Sequence, residues 1–284
     1  MNAVPAAGID LVHGIAAGPV AIPQLGFGTY KIAPQDTERA VLTAVELGCR
    51  HIDTAEMYGN EAEVGRALAH CGVPREQLFV TSKLDNVNHE PAAARRAFGQ
   101  TLDALGLEVL DLFLVHWPMA ATTDLVATWQ TMIEFLRSGR VRAIGVSNYQ
   151  PEHLRTIIEA TGVTPAVNQI EIHPYLTQDP LRTVHRRHGI VTEAWSPLGR
   201  GKLLHDATIE SVAREVGRST AQVVLRWHLQ RGEVVFPKSV HPERIAENTR
   251  LFDFRLSDDQ LARITALNRD ERFGSNPDLV QGAK

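Results

Sequence analysis

The sequence lacks the features that mark several protein classes. It has only two cysteines, Cys49 and Cys71, too few for a disulfide framework or a thiolate zinc site. No apolar run approaches the roughly 18 residues of a membrane-spanning helix, and residues 1–10 lack the positively charged start of a signal peptide. Lys and Arg are interspersed with Asp and Glu at a net charge of −4, so no basic stripe indicates nucleic acid. We therefore expect a cytoplasmic protein with reduced thiols and with neither nucleic-acid nor membrane partners.

Several catalytic signatures are missing as well. The sequence contains no HExxH and no tight His/Asp cluster, so no metal site is predicted. It has no GxSxG elbow of the serine hydrolases. A GxGxxG fingerprint after a predicted strand is also lacking, which argues against Rossmann-type nucleotide binding. Any chemistry must therefore come from residues that the fold brings together.

The chain alternates short apolar runs with amphipathic stretches, which indicates repeated strand–helix units. Eight such units in 284 residues favour a closed (β/α)8 TIM barrel, one domain over residues 1–284, rather than an open doubly wound sheet. Predicted strands are 25–28, 52, 79–81, 112–115, 143–146, 166–170, 190–192 and 234–236. Predicted helices are 36–47, 61–70, 91–105, 125–138, 151–160, 180–188, 209–216 continuing into 220–230, and finally 257–267.

The two ends of the chain frame this barrel. Residues 9–13 and 20–23 flank a glycine-containing connection and predict an N-terminal β-hairpin. Residues 268–284 are rich in Gly, Asn, Pro and Asp, which is typical of a closing loop, either over the barrel mouth or frayed. Asn60 and Ser219 stand where helices are expected to start.

Polar residues follow the predicted strands at the end where barrel enzymes carry their active sites. Asp53 ends the second strand and Tyr58 lies on its exit loop, while Lys83 and His116 end the third and fourth. Each has a simpler interpretation: Asp53 as a helix cap, Tyr58 as a loop aromatic, Lys83 as a solvated lysine, and His116 as a core histidine. Together, however, they form a proton-transfer set. In this set Lys83 would lower the pKa of Tyr58, and Asp53 would keep Lys83 charged.

An acid without a metal or nucleophile suits reduction of a carbonyl by an external hydride donor, with His116 orienting the carbonyl oxygen. Lys238, Ser239 and Arg244 follow the eighth strand, where barrels often bind phosphate, and favour the 2′-phosphate of NADP over NAD. The alternative is a surface helix with two solvated cations. Trp195 offers a face for nicotinamide stacking, or is a core tryptophan, and Ser147, Asn148 and Gln169 could hold the carboxamide.

An ordered set of motifs, from about residue 23 to residue 267, resembles the aldo-keto reductase family, and most closely its bacterial 2,5-diketo-gluconate reductase-like members. The matching stretches are Gly26-Phe27-Gly28-Thr29, His51-Ile52-Asp53-Thr54-Ala55 through Tyr58-Gly59-Asn60-Glu61, Ser82-Lys83-Leu84, Val115-His116-Trp117-Pro118, Ile144-Gly145-Val146-Ser147-Asn148, Asn168-Gln169-Ile170-Glu171, Trp195-Ser196-Pro197-Leu198-Gly199 and Pro237-Lys238-Ser239-Val240.

The resemblance implies an NADPH-dependent carbonyl reductase in which Tyr58 is the acid and Asp53, Lys83 and His116 complete the catalytic set. The cofactor contacts that it implies are Gly28, Thr29, Tyr30, Asp53, Ser147, Asn148, Gln169, Trp195, Ser196, Leu198, Lys238, Ser239, Val240, Arg244, Glu247 and Asn248. The substrate contacts that it implies are Tyr30, Met57, Tyr58, Leu84, His116 and Trp117.

The sequence departs from the family pattern in three places. Many members have tyrosine at the position of Trp195, and His241 stands where threonine is common, which puts one 2′-phosphate contact in doubt. The loop 119–124 is short, so a more open mouth is expected.

We expect a monomer acting on small-molecule carbonyls. The alternatives are a barrel that binds NADPH and regulates a partner without turnover, or an isomerase or lyase that uses Asp53 or His116 as base.

Overall fold

Eight parallel strands form a nearly closed barrel in a computed structural model that describes residues 8–12 and 20–280. The strands are β3 (Phe27–Gly28), β4 (His51–Asp53), β5 (Phe79–Leu84), β6 (Leu110–Val115), β7 (Val141–Ser147), β8 (Val167–Glu171), β9 (Val191–Trp195) and β10 (Val234–Val235). They are hydrogen-bonded in sequence order, and a parallel bridge between Leu25 and Val235 joins the two edges. The Gly26 N–H donates to the Val235 carbonyl at 2.8 Å across this join. The predicted (β/α)8 barrel is confirmed.

Ten α-helices in the described part of the chain connect and surround the strands. They are α1 (Pro34–Glu46), α2 (Glu61–His70), α3 (Pro91–Leu105), α4 (Leu125–Arg137), α5 (Pro151–Thr161), α6 (Asp179–His188), α7 (Ala207–Val216), α8 (Thr220–Gln230), α9 (Pro242–Thr249) and α10 (Asp258–Thr265).

Each barrel strand is buried on both faces, which explains the unbroken apolar runs in the sequence. All six residues of β6 are buried. Leu112 and Leu114 belong to the cluster inside the barrel, whereas Phe113 packs outward with Phe98 of α3 and Phe135 of α4. This two-faced burial holds the strand ends, and the side chains on them, in fixed positions.

An antiparallel hairpin closes the end of the barrel where the strands begin. It pairs β1 (Gly8–Leu11) with β2 (Val20–Pro23), as predicted; His13 and the connection 13–19 lie outside the described residues. Leu11, Val20 and Ile22 pack with the first residues of several strands, including Val167 and Val234. The opposite end, where the strands finish, is left for a site.

The two predicted helix starts differ in their chemistry. Ser219 forms a capping box with Gln222 at the start of α8. Asn60 occupies the N-cap position of α2 without capping it. Its amide donates instead to the carbonyls of Thr29 (3.1 Å) and Ile32 (3.2 Å), which ties the loop after β3 to the loop after β4. No helix of the described ranges is long and apolar enough to cross a membrane.

Candidate active site

Asp53 and Tyr58 lie on the two sides of a short exit loop. β4 ends at Asp53, and a 3₁₀ turn, Glu56–Tyr58, follows. Gly59 then adopts a φ of 65°, a left-handed conformation that glycine tolerates best, and α2 begins at Glu61. Both Asp53 and Tyr58 line one large cavity at the C-terminal ends of the strands.

Lys83 connects these two residues from beneath. Its Nζ donates to Asp53 Oδ1 at 2.7 Å, to the Thr54 carbonyl at 2.7 Å and to the Tyr58 hydroxyl at 3.4 Å. The side chain is fully buried and does not line the cavity. Lys83 points inward because alternation along β5 places Phe79, Thr81 and Lys83 on the inner face. The sequence-predicted trio therefore comes together.

Burial sets the charge states of this trio. Burial opposes the charge on Lys83, but the combined attraction of Asp53, Tyr58 and Glu193 outweighs it and raises the lysine pKa. Burial also raises the pKa of Tyr58 to about 12, although Lys83 acts to lower it. Lys83 thus acts on the tyrosine pKa in the predicted direction, but desolvation of the phenolate is the larger effect and the net shift is upward.

His116 faces Tyr58 across the cavity. The two rings meet edge to face, with centroids 5.7 Å apart. Burial, followed by the nearby charge of Lys83, holds the pKa of His116 well below its ordinary value, so the imidazole is neutral at pH 7. Its Nδ1 is buried and has no hydrogen-bond partner among residues 8–12 and 20–280.

Three polar side chains and an indole form a connected layer beside this group. Ser147 Oγ donates to the Gln169 carbonyl at 2.8 Å, and the Asn148 amide donates to the His116 carbonyl at 3.0 Å. Trp195 Nε1 donates to Asn148 Oδ1 at 2.8 Å, which orients the indole at the cavity wall. Asn148 itself has a φ of 64°, a strained conformation of the kind that concentrates at functional sites.

Glu193 lies directly below this layer and was given no role in the sequence interpretation. It is fully buried and pairs in register with Gln169 on the neighbouring strand. Gln169 Nε2 donates both to Glu193 Oε2 at 2.7 Å and to Asp53 Oδ2 at 2.9 Å. Burial, followed by the charge of Asp53, raises the pKa of Glu193 to about 8, so it carries a proton at pH 7. An acid on an inward-facing strand position was the signal available in the sequence.

The far end of the cavity is cationic. Lys238 and Arg244 are exposed, line the cavity and form no ion pair within the described part of the chain. Ser239 Oγ accepts from the His241 N–H at 3.1 Å, just before α9 begins at Pro242. Two unpaired cations beside a hydroxyl and a helix start are suited to an anion.

The C-terminal segment crosses the mouth of the cavity. Glu171, at the end of β8, accepts from the Phe273 N–H at 2.7 Å and from the Gly274 N–H at 3.1 Å. A Cβ on Gly274 would lie 2.2 Å from Trp195 Cη2, so the segment passes the indole at a distance that only glycine allows. The predicted tail thus covers part of the mouth up to Val280, and residues 281–284 lie outside the described range.

The cavity has a volume of about 1380 Å³, larger than the roughly 300–1,000 Å³ of common small-ligand pockets. Predicted site residues that line it are Gly28, Tyr30, Asp53, Met57, Tyr58, His116, Trp117, Ser147, Asn148, Gln169, Trp195, Ser196, Leu198, Lys238, Ser239, Arg244, Glu247 and Asn248. Lining residues that sequence interpretation missed include Lys31, Asn86, Arg200, Ser219, Phe236 and Phe273.

Three predicted contacts do not reach the cavity. Leu84 was expected as a substrate wall, but β5 continues through it and alternation turns it outward into the helix layer. Thr29 is buried, and its hydroxyl donates to the Asp53 carbonyl at 3.2 Å. Val240 packs against the core instead of lining the cavity.

Gly28 lines the cavity, and the close packing of the barrel backbone also requires a glycine at this position. A Cβ at this position would lie 2.7 Å from the Phe236 carbonyl of the segment after β10, where the barrel closes. Residues 8–12 and 20–280 contain no cluster of three or more His, Cys, Asp or Glu side chains that could hold a metal.

Known proteins share both this sequence pattern and this fold. An aldo-keto reductase of Mycolicibacterium smegmatis is 50% identical over 256 residues, which cover 90% of this chain and 93% of the relative. The crystal structure of Gox0644 without ligand has a TM-score of 0.89 at 43% identity, covering 96% of this chain and 99% of that one.

Two similar solved structures contain a nucleotide. A Gox0644 variant in complex with NADPH has a TM-score of 0.90 at 42% identity, covering 96% of this chain and 99% of that one. A Bombyx mori aldo-keto reductase in complex with NADP has a TM-score of 0.85 at 35% identity, covering 91% and 93%. The profile of the Aldo/keto reductase family matches residues 24–269. The chain therefore belongs to the aldo/keto reductase family.

Proposed function

We propose that this protein reduces aldehydes and ketones to alcohols with NADPH, using Tyr58 as the general acid. The observation that carries the proposal is the hydrogen-bonded chain from Asp53 through Lys83 to the Tyr58 hydroxyl, which opens into the cavity opposite His116. Family membership and the nucleotides in two similar structures support the choice of cofactor.

The residues present fit NADPH. Trp195 provides a flat face at the centre of the cavity, with the side chains of Ser147, Asn148 and Gln169 beside it as partners for a carboxamide. Lys238 and Arg244 provide unpaired positive charge for a 2′-phosphate at the opposite end. Ser196, Leu198, Glu247 and Asn248 also line the cavity.

The bound nucleotide would supply hydride from its nicotinamide. Tyr58 and His116 would hold the substrate's carbonyl oxygen, which gains negative charge as hydride arrives at the carbonyl carbon. Neutral His116 can donate one hydrogen bond to that oxygen, and Tyr58 can donate both a hydrogen bond and then its proton. Lys83, kept charged by Asp53, stabilises the phenolate that remains.

A tyrosine pKa of about 12 is compatible with this role. The developing alkoxide is the conjugate base of an alcohol, whose pKa is close to the roughly 15.7 of water, so proton transfer from Tyr58 is still downhill. Because the phenol stays protonated throughout the neutral range, the acid is always in its reactive form.

We propose dicarbonyls and keto sugars as the substrate class, in line with the resemblance to 2,5-diketo-gluconate reductase-like members. Tyr30, Met57 and Trp117 form walls around the Tyr58 hydroxyl, and Tyr30 is 48% exposed at the mouth. Aromatic and apolar walls with few polar contacts accept many carbonyl compounds. Monomeric assembly, a cytoplasmic location and a single domain over residues 1–284 remain predictions.

Substitution of the acid tests the proposal. Loss of NADPH absorbance is followed with glyoxals, quinones and keto sugars, and Tyr58→Phe is expected to lower kcat by at least about a hundredfold, the usual size of general acid catalysis. NADPH affinity, measured by fluorescence titration, is expected to stay within about threefold, because the lost hydroxyl faces the substrate.

Tyr149→Phe is the matched control. Tyr149 is also fully buried, but its hydroxyl has no partner within the described chain and does not reach the cavity. Turnover by Tyr58→Phe equal to that of the Tyr149 variant would rule out Tyr58 as the acid. NADPH binding without turnover of any carbonyl by the wild-type protein would favour a regulatory barrel.

A further inference from the structure

Glu193 is a buried acid that the proposed reaction does not use directly. It lies on the inner face of β9, two residues after Val191 and two before Trp195, and its side chain is fully buried below the cavity. A buried carboxyl group is costly unless it has a partner. The structure gives it one partner in the site, the amide of Gln169.

The Gln169 amide stands between two acids. Its nitrogen carries two hydrogens, and they reach Asp53 Oδ2 at 2.9 Å and Glu193 Oε2 at 2.7 Å. An amide in the opposite orientation would place its carbonyl oxygen against the carboxylate of Asp53, which is unfavourable. Two acceptors on the nitrogen side therefore define which way this amide faces.

The side-chain oxygen of Gln169, Oε1, is then available to a ligand in the cavity. Gln169 lines the cavity, and its Oε1 has no hydrogen-bond partner among the described side chains and backbone. The same side chain lies beside Asn148, whose Oδ1 is already taken by the Trp195 indole at 2.8 Å. Oε1 of Gln169 is thus a free acceptor next to the proposed nicotinamide position.

We propose that Glu193 is a positioning residue for the Gln169 amide. It holds this amide so that the nitrogen stays hydrogen-bonded to Asp53 and the oxygen accepts a hydrogen bond from the amino group of the nicotinamide carboxamide. The inference rests on the proposed use of a nicotinamide nucleotide. Through one amide, Glu193 would link recognition of the cofactor to the placement of the Asp53 carboxylate against Lys83. The charged and titratable groups around Glu193 are Asp53 and Lys83, and burial beside them keeps it protonated at pH 7.

A pair of nucleotides that differ only at the carboxamide tests this role. The 3-acetylpyridine analogue of NADP⁺ carries a methyl group where NADP⁺ carries the amino group, so it cannot donate to Gln169. The ratio of its dissociation constant to that of NADP⁺ is expected to be about five- to tenfold in the wild-type protein, the size of one net hydrogen bond. Titration calorimetry at pH 7 measures both constants.

Glu193→Leu is expected to bring this ratio to within about twofold of one, because an amide held by Asp53 alone can rotate about that single hydrogen bond and carry Oε1 away from the carboxamide. Glu193→Gln keeps an acceptor oxygen at the same distance and is expected to restore the wild-type ratio. Glu193→Met removes the carboxyl group with less change in shape and replaces the leucine variant if that variant does not fold. A purely structural role would weaken both nucleotides equally and leave the ratio unchanged.

Thr192→Val is the matched control on the other face of β9. Thr192 is bonded to His185 at 2.8 Å, so this substitution removes a buried hydrogen bond away from the cavity and should leave the ratio as it is. An unchanged ratio in Glu193→Leu or Glu193→Met, with NADP⁺ still bound, overturns the inference and leaves the proposed function standing. Failure of the wild-type protein to bind NADP⁺ overturns both.

Discussion

Burial shifts the charge states of several side chains of the proposed active site. The phenol of Tyr58, the imidazole of His116 and the carboxyl of Glu193 are all pushed towards their neutral forms, because their pKa values are shifted by desolvation. Lys83 stays charged because it is paired with Asp53. The floor of the cavity thus concentrates its charge in the Lys83–Asp53 ion pair, next to the hydroxyl that would become a phenolate in the proposed reaction.

The same desolvation couples individual histidines to the stability of the fold. His185 is fully buried between Asn168, whose amide lies 2.9 Å from Nε2, and Thr192, whose hydroxyl lies 2.8 Å from Nδ1. Burial, followed by the charges of Arg182 and Arg186, lowers the pKa of His185 to about 3. Its pKa in the unfolded chain is near 6.5, so the unfolded state takes up a proton first as the pH falls.

We therefore expect His185 to destabilise the protein progressively between pH 6.5 and pH 4. Relative to a His185→Gln variant, the wild-type protein should lose about 3 kcal/mol of unfolding free energy between pH 7 and pH 4. Urea unfolding at both pH values measures this difference. His205→Gln, at a side chain that is 92% exposed, is the control and should change little. A difference in unfolding free energy between wild type and variant that does not change with pH would contradict this expectation, because it would mean that His185 has the same pKa in the folded and unfolded states.

At the scale of the elements, the sequence predicts the strands and the residues at their ends, which follow from strand periodicity. It does not predict contacts between residues that are far apart in the chain. Alternating units and polar strand ends were enough to predict the barrel and to bring Asp53, Tyr58, Lys83 and His116 together. Leu84, which the family resemblance implied as a substrate contact, faces the helix layer because β5 continues through it and successive residues of a strand point to opposite faces. Glu193 was overlooked because its contact in the site is with Gln169, the residue that pairs with it on the neighbouring strand.

The C-terminal segment shows the same limit. The composition predicted a loop after α10. It could not show that Glu171, about a hundred residues earlier, accepts hydrogen bonds from the Phe273 and Gly274 N–H groups of this loop. His173 Nε2 also donates to this carboxylate at 3.1 Å, and its ring stacks on the Phe273 ring with centroids 4.7 Å apart. One buried carboxylate thus anchors the segment that passes Trp195.

We expect Glu171→Gln to release this segment without unfolding the barrel. Glutamine would place an NH2 group where Oε2 accepts from the Gly274 N–H at 3.1 Å and pairs with Arg272 at 3.3 Å, so amide hydrogens of 272–275 should exchange at least about tenfold faster, the equivalent of about 1.4 kcal/mol. Hydrogen exchange with mass spectrometry resolves the segment. Glu271→Gln is the control, because the Glu271 side chain pairs with the exposed Arg269 and not with Glu171 or its partners. Equal exchange in the two variants would contradict an anchoring role.

For the whole molecule, the cavity joins two kinds of chemistry at opposite ends of one barrel face. The proton-transfer group is buried and carries one compensated ion pair, whereas Lys238 and Arg244 are exposed and have no carboxylate partner in the described chain. A ligand that spans the cavity would be recognised by an anionic group, bound by Lys238 and Arg244, as well as by a ring beside the buried group.

This arrangement predicts that NADPH stabilises the folded protein more than NADH does. At a concentration one hundred times its dissociation constant, a ligand adds about 2.7 kcal/mol, which raises Tm by several degrees in a chain of this size. Lys238→Ala or Arg244→Ala should weaken NADPH binding about tenfold and remove about 1.4 kcal/mol of that gain, while the smaller effect of NADH stays the same. The reason is that only NADPH carries the 2′-phosphate that these cations would contact.

Thermal unfolding with each nucleotide at a fixed concentration measures the difference directly. Arg39→Ala is the matched control, because it removes an exposed cation on α1 that is paired with Asp36 and lies outside the cavity. A loss of NADPH stabilisation in Lys238→Ala that equals its loss of NADH stabilisation would show that the cation acts on the shared part of the two nucleotides. A loss confined to NADPH would locate the 2′-phosphate at the start of α9, with the nicotinamide ring then free to reach Trp195 and Tyr58 at the other end of the cavity.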